Sequence, residues 1–292
     1  MKKIFLLVSF ICLMAACKEQ TPSGLVLDND TISSDSTYMA AAETPQPRAI
    51  LIEESTGNKC SNCPAGKSQI DQMIQANPER IKVVALHFAG LEVDDPSAQY
   101  YSLENPDVRS LISYLDGDQG QPCAAFGREP IAGKYFILRG SGGNWTAALA
   151  DELNKSTPVN LRLNSIYNAA TNQATISTTL AFTDTTSDKI YLSLFLVEDG
   201  LVGKQDSAAG FSVVHIEDYE FNDVLRKAIT PVIGSPVLND LALKEKGRVF
   251  RRDIIFFPDA AWNKDKCRIV AVVHKSDASD KHVLNVAETH LK

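Results

Sequence analysis

Cys60 and Cys63, with two residues between them and Pro64 following, are the side chains best placed to do chemistry. The reactive form of a cysteine is the thiolate. A helix N-terminus favours it, because the unpaired N–H groups and the dipole there favour negative charge. On this reading Cys60 is exposed and attacks, and Cys63, one turn into the helix, resolves the mixed disulfide. Lys59 adds a neighbouring positive charge. Pro64 suits a first helical turn, where its missing N–H costs nothing. The same spacing also fits a local structural disulfide that never turns over. Zinc would need four ligands. Cys123, His87, His215 and His274 are the residues that could complete a set. The chain has no second C-x-x-C and no His-x3-His, so neither a metal site nor a cofactor is expected.

A strand must deliver these cysteines and a helix must follow them. Residues 49–54 read as a strand, and residues 56–59 as a turn. Ile70, Met73 and Ile74 lie at helical spacing within residues 65–75, and Asn77-Pro78 ends that helix. Residues 81–88 form a second buried strand that closes at His87. Functional groups gather at the carboxyl ends of strands in open parallel sheets. His87 is therefore a candidate proton carrier, set against the commoner packed histidine. Residues 91–105 are polar and aromatic and read as an insertion. Residues 107–115 and 145–153 are helices, with a short strand around Cys123. This order describes an α/β unit.

The pattern changes near Thr157-Pro158. Residues 159–168, 174–183, 189–199, 248–257, 267–275 and 282–291 alternate or run apolar, with turn residues between them. They predict a β-sandwich, immunoglobulin-like in class. Residues 217–228 read as one short turn of helix. Cys267 shares a strand face with Ile269, Ala271 and Val273 and is expected to be buried and inert.

The N-terminus places the chain. Lys2 and Lys3 precede an apolar run from Ile4 to Ala16 that is too short to span a bilayer. It has the form of a secretion signal. Met14-Ala15-Ala16-Cys17 resembles a lipobox, which makes Cys17 the expected lipidation site. Residues 18–47, rich in Ser, Thr, Asp and Ala and carrying Pro22, Pro45 and Pro47, read as a flexible tether. The expected units are thus 1–17, 18–47, 48–157 and 158–292. The chain carries a net charge of −7, and losing Lys2 and Lys3 with the signal makes it −9 (−7 − 2). That balance argues against nucleic acid as a partner. Of six cysteines, Cys12 leaves with the signal and Cys17 is lipidated, so Cys60, Cys63, Cys123 and Cys267 remain. An oxidising compartment allows them to pair, and the sequence does not choose among the three full pairings.

The strand–C-x-x-C–helix context resembles a thioredoxin-like motif. Such folds carry a cis-proline facing the cysteines, and Gly120-Gln121-Pro122 occupies the matching place. The resemblance implies that Gln121 and Cys123 lie near Cys60 and Cys63. Cys123 is then either a third thiol or a buried strand residue. Thioredoxins place Trp before the first cysteine, whereas this chain has Lys59.

Nearly the whole mature chain resembles the Bacteroidetes outer-membrane-protein family named for a twenty-eight-kilodalton member. It matches over Glu53-Glu54-Ser55-Thr56-Gly57-Asn58-Lys59-Cys60-Ser61-Asn62-Cys63-Pro64-Ala65-Gly66, and the Cys60-Ser61-Asn62-Cys63-Pro64 block is its most specific part. Ala85-Leu86-His87-Phe88-Ala89-Gly90, and Gly120-Gln121-Pro122 ahead of Arg128, also match. So do Leu196-Val197-Glu198-Asp199 with Gln205, Tyr219, Val224-Leu225-Arg226, and Val283-Leu284-Asn285-Val286. Where the family often has His-Asn-His, this chain has Phe221-Asn222-Asp223. The resemblance implies a lipoprotein with a thioredoxin-like domain joined to an all-β domain. It is expected at the outer membrane, on the periplasmic side or the cell surface, with Lys18-Glu19 similar to a surface-sorting signal.

Two functions follow as expectations. In one, Cys60, Cys63, Pro122, Cys123 and His87 serve thiol–disulfide exchange with an envelope or surface protein. In the other, the disulfide is structural, and the chain is a surface binding or adhesion module or part of an outer-membrane uptake assembly.

Overall fold

The computed structural model describes residues 31–117, 120–140 and 144–292. The signal segment, Cys17 and the first part of the expected tether lie outside the described residues. In chain order the strands are β1 (Thr31–Met39), β2 (Ile50–Thr56), β3 (Ile81–His87), β4 (Cys123–Phe126), β5 (Ile137–Leu138), β6 (Val159–Asn168), β7 (Gln173–Phe182) and β8 (Ile190–Glu198). They continue with β9 (Leu201–Ala209), β10 (Ser212–Phe221), β11 (Val224–Ala228), β12 (Ser235–Val237), β13 (Arg248–Phe256), β14 (Cys267–Lys275) and β15 (Val283–His290). The helices α1 (Cys63–Ala76), α2 (Pro106–Tyr114) and α3 (Trp145–Leu153) all precede β6.

The protein is mostly β-sheet. Its large sheet has the order β15-β14-β8-β11-β3-β2-β4-β5, with β12 pairing to β8. The expected boundary near residue 157 falls between α3 and β6, and this sheet continues across it. The joining strand is β11. It meets β3 in parallel at Val224 and Ala85, and runs antiparallel to β8 on its other side.

Alternation along the strands divides the core. Ile50 and Ile52 face Ile70 and Met73 of α1 and Trp145 of α3. Leu51, Cys123 and Ala125 face Val108, Leu111 and Ile112 of α2. A smaller sheet, β1-β13-β7-β6, covers the far half of the large sheet, over a core of Leu192, Leu194, Leu196, Ile269, Ala271 and Val273. Ile176, Leu180, Phe250 and Ile254 fill that core from the other side.

Two readings of the sequence need correcting. Residues 31–47 are not a free tether. Strand β1 pairs residue by residue with β13, from Thr31 against Phe256 to Met39 against Arg248. Arg252 grips Asp35 through two hydrogen bonds of 2.7 and 2.6 Å. Further on, the Gln46 N–H donates to Asn160 Oδ1 at 2.7 Å. This segment is held by pairing on an exposed edge, so it carries no apolar period to read. Residues 217–228 form strand, not helix. They run through the end of β10 into β11, because β3 and β8 offer Val224–Ala228 two edges to pair with.

Candidate functional site

The site is built on β2, the loop after it and the start of α1. Cys60 and Cys63 form a disulfide with Cα atoms 5.3 Å apart. Cys63 opens α1, and its N–H donates to the Cys60 carbonyl at 3.1 Å. The Gln121–Pro122 bond is cis. Gly66 lets the proline loop and the helix meet, since a Cβ there would lie 3.0 Å from Pro122 Cβ and 3.3 Å from Glu54 Oε1. Gln121 Nε2 donates to the Thr56 carbonyl at 2.8 Å and to the Phe88 carbonyl at 3.3 Å, tying together the ends of β2 and β3.

Contrary to the sequence reading, Cys60 is not exposed. Cys60 is 1% exposed and Cys63 3%. Two segments cover their loop. The insertion after β3 lies along one side, where the Lys59 N–H donates to the Leu91 carbonyl at 2.8 Å and Asn58 Nδ2 to the Val93 carbonyl at 2.7 Å. Gly57 permits this approach, because a Cβ there would sit 2.5 Å from the Leu91 carbonyl oxygen. Strand β9 lies along the other side. The Asp206 N–H donates to the Asn58 carbonyl and the Ala208 N–H to the Ser61 carbonyl, each at 2.8 Å. Gln205 Nε2 donates to the carbonyls of Gly57 at 3.2 Å and Cys60 at 3.1 Å. Lys59 turns its charge onto Tyr100, with Nζ 3.8 Å from the ring centroid.

Beneath the covers, Glu54, Cys63, Pro64, His87, Gln205, Tyr219 and Phe221 line a cavity of about 20 Å³, roughly the room one water needs. Glu54 is buried, and its Oε1 has no hydrogen-bond partner among the described residues. Loss of solvent pushes its carboxyl up to about 8, against the weaker pull of Lys67. Glu54 is therefore mostly the neutral acid at pH 7. His87 reaches this cavity, but its Nδ1 lies 3.0 Å from Glu92 Oε2 and its ring meets Phe221 edge-on at 5.2 Å. Phe221, which stands where the family often has histidine, thus packs against His87 in the cavity wall.

Cys123 does not join the site. It pairs with Ser55 on the next strand and points into the α2 side of the core, with the sheet between it and α1. Cys267 is fully buried, and burial together with nearby Glu198 pushes its thiol up to about 12, as suits an inert residue. The His–carboxylate cluster of Glu129, Glu152 and His282 lies away from the motif. Its Glu152 is already paired with Arg48 and Lys155, each at 2.6 Å. Glu54 and Gln205 appeared in the sequence only as parts of matched motifs, without a role. The available signal for Glu54 was a second glutamate continuing an otherwise apolar strand. Nothing local marks Gln205.

Residues 114–292 match the model of the outer membrane protein Omp28 family. The chain belongs to that family and is a protein of the outer membrane. Among solved structures it is similar to HBP35 of Porphyromonas gingivalis. The TM-score is 0.61 at 16% identity, over 87% of this chain and 77% of that one. It is also similar to a structural-genomics protein of Agrobacterium tumefaciens, with a TM-score of 0.48 at 9% identity, over 85% of this chain and 96% of that one. No curated protein matches. Among the described residues no helix is long and apolar enough to cross a membrane.

Proposed function

We propose that this outer-membrane protein is lipid-anchored through Cys17 and that its thioredoxin-like part, residues 48–157, exchanges disulfides with thiols of envelope proteins. The observation that carries the reading is Glu54. A buried carboxyl with an unpartnered oxygen costs stability. A purely structural disulfide has no use for one, whereas exchange needs a proton at Cys63.

In the oxidising direction, a client thiolate attacks Cys60 Sγ. The Cys60–Cys63 bond breaks, and Cys63 leaves as thiolate. Neutral Glu54 supplies a proton to Cys63 and becomes carboxylate. A second client thiolate then attacks the client sulfur of the mixed disulfide and releases Cys60. The client loses two electrons and the cysteine pair gains them. Access requires β9 to lift, breaking two backbone bonds and the two made by Gln205. At about 1 kcal/mol net for each hydrogen bond, closure slows attack by roughly a thousandfold.

The covered sulfurs favour a second reading, in which the disulfide is structural and the protein is a surface binding module. Trapping separates the two. The full chain carrying Cys63→Ser is expected to accumulate mixed disulfides with client proteins through Cys60. No trapped species, together with no insulin reduction by the wild type, leaves the binding module.

A further inference from the structure

Strand β9 of the β9–β10 hairpin covers the disulfide loop as far as Ala208, close to the tip, while β10 and the tip stand open to solvent. Phe211 at its tip is fully exposed, and Val213, Val214 and Ile216 on β10 are exposed as well. The two strands form a separate two-stranded sheet. A lone two-stranded ribbon is marginal in water, and an open apolar edge is a pairing surface.

The hydrogen-bond pattern identifies the edge. Asp206 and Ala208 point their N–H groups away from β10, toward Asn58 and Ser61. Their cross-strand partners are His215 and Val213. In an antiparallel ladder, the N–H and C=O groups of such residues point outward on both strands. Val213 and His215 therefore present a free N–H and C=O along the outer edge of β10, while Val214 bonds inward to β9.

We propose that β10 pairs antiparallel with β10 of a second copy of this chain, making one four-stranded ribbon across a two-fold axis. The charge pattern selects this occupant. The strand is apolar from Phe211 to Ile216, apart from Ser212 and His215, and acidic at Glu217, Asp218 and Glu220. Outward-pointing residues must face one another, which allows a register centred on Val214. There Val213 meets the partner's His215, and Ser212 meets the partner's Ile216. Phe211 meets the partner's Glu217, Asp218 lies opposite the partner's Gly210, and Glu220 lies beyond it. The apolar halves overlap, the acidic halves go to opposite ends, and no carboxylate faces another. Such an interface is isologous, the commonest kind in soluble oligomers. It stands whether or not the disulfide turns over.

Cysteine cross-linking of the full chain tests it. In this register the two Val214 residues form a non-hydrogen-bonded pair with Cα atoms about 4.5 Å apart, within disulfide range. Val214→Cys is expected to give a covalent dimer on a non-reducing gel after mild oxidation. Val202→Cys, equally exposed on β9, is expected to stay monomeric. Adding Val213→Pro removes an outward N–H without touching the β9 ladder, and is expected to cut the Val214→Cys dimer by about tenfold at an unchanged unfolding midpoint. Absence of the dimer overturns the proposal. So does a dimer that survives Val213→Pro, equal cross-linking at Val202→Cys, or cross-linking of Val214→Cys to a different protein instead.

Discussion

Glu53 and Glu54 are consecutive on β2 and both are buried, at 0% and 2% exposure, yet they face two different regions. Glu53 points to the α2 side, where Arg128 holds it by two hydrogen bonds, Nη2 to Oε1 at 2.7 Å and Nε to Oε2 at 2.9 Å. Burial alone would lower the Arg128 pKa, but Glu53 outweighs it and raises it, so Arg128 keeps its charge. Glu54 points to the α1 side, where Lys67 acts only at a distance. The same residue type at the same depth thus forms a fixed ion pair on one face and a neutral, titratable acid on the other. Partner geometry, not burial, decides which. One face of the sheet is a structural anchor, and the other is a site whose charge can change.

Breaking the anchor is the harshest test. Arg128→Ala leaves Glu53 buried and unpaired, and is expected to cost about 3–5 kcal/mol in urea unfolding. A loss under 1 kcal/mol would mean that Glu53 finds water or another donor.

The second test is pH. The Glu54 carboxyl rises from 4.5 unfolded to about 8 folded. The native state therefore holds a proton that the unfolded state has released. The stability linked to it is full below 4.5, falls between 4.5 and 8, and is level above that. Buried His274 works the other way, since loss of solvent lowers it to about 3, and its contribution is lost as pH falls below 6.5. The window from 6.5 to 8 therefore isolates Glu54. There, wild type is expected to lose about 2 kcal/mol relative to Glu54→Gln. Parallel stability curves for the two proteins would remove Glu54 as a titrating group.

A third test addresses the cover over the titratable face. Gln205→Ala removes the two side-chain bonds to the Gly57 and Cys60 carbonyls. Reduction of the disulfide by dithiothreitol is expected to speed up by about thirtyfold, the equivalent of two net hydrogen bonds at about 1 kcal/mol each. An unchanged rate would assign protection to the insertion at residues 91–105 instead. The smallest effect is expected from Cys123→Ala. Its side chain lies on the anchored face, so disulfide exchange is expected to keep its wild-type rate, with a stability loss of about 1 kcal/mol. A slowed exchange rate would bring Cys123 back to the site.

Much of this was legible in the chain itself. Apolar periodicity and turn residues located β2, α1, β3, α2, β4 and α3 to within a few residues, along with the strands of the second half that pack against a core. The segments that escaped lack such a signature. Strand β1 is polar and rests on an exposed edge. Strand β10 is exposed on both faces. Strand β11 is short and takes its form from the neighbours on either side.

By itself the sequence determined the placing of Cys60 and Cys63 between a strand and a helix, the burial of Cys267 and the β-rich second half. All of these follow from the spacing of residues near one another in the chain. Tertiary structure alone decided that Cys60 is covered, that Cys123 faces away, and that Glu54 is neutral while Glu53 is paired. Those outcomes depend on contacts such as Gln205 to Cys60, 145 residues apart, and Arg128 to Glu53, 75 apart. Local spacing shows which groups are present, but their exposure and charge depend on what the rest of the chain brings against them.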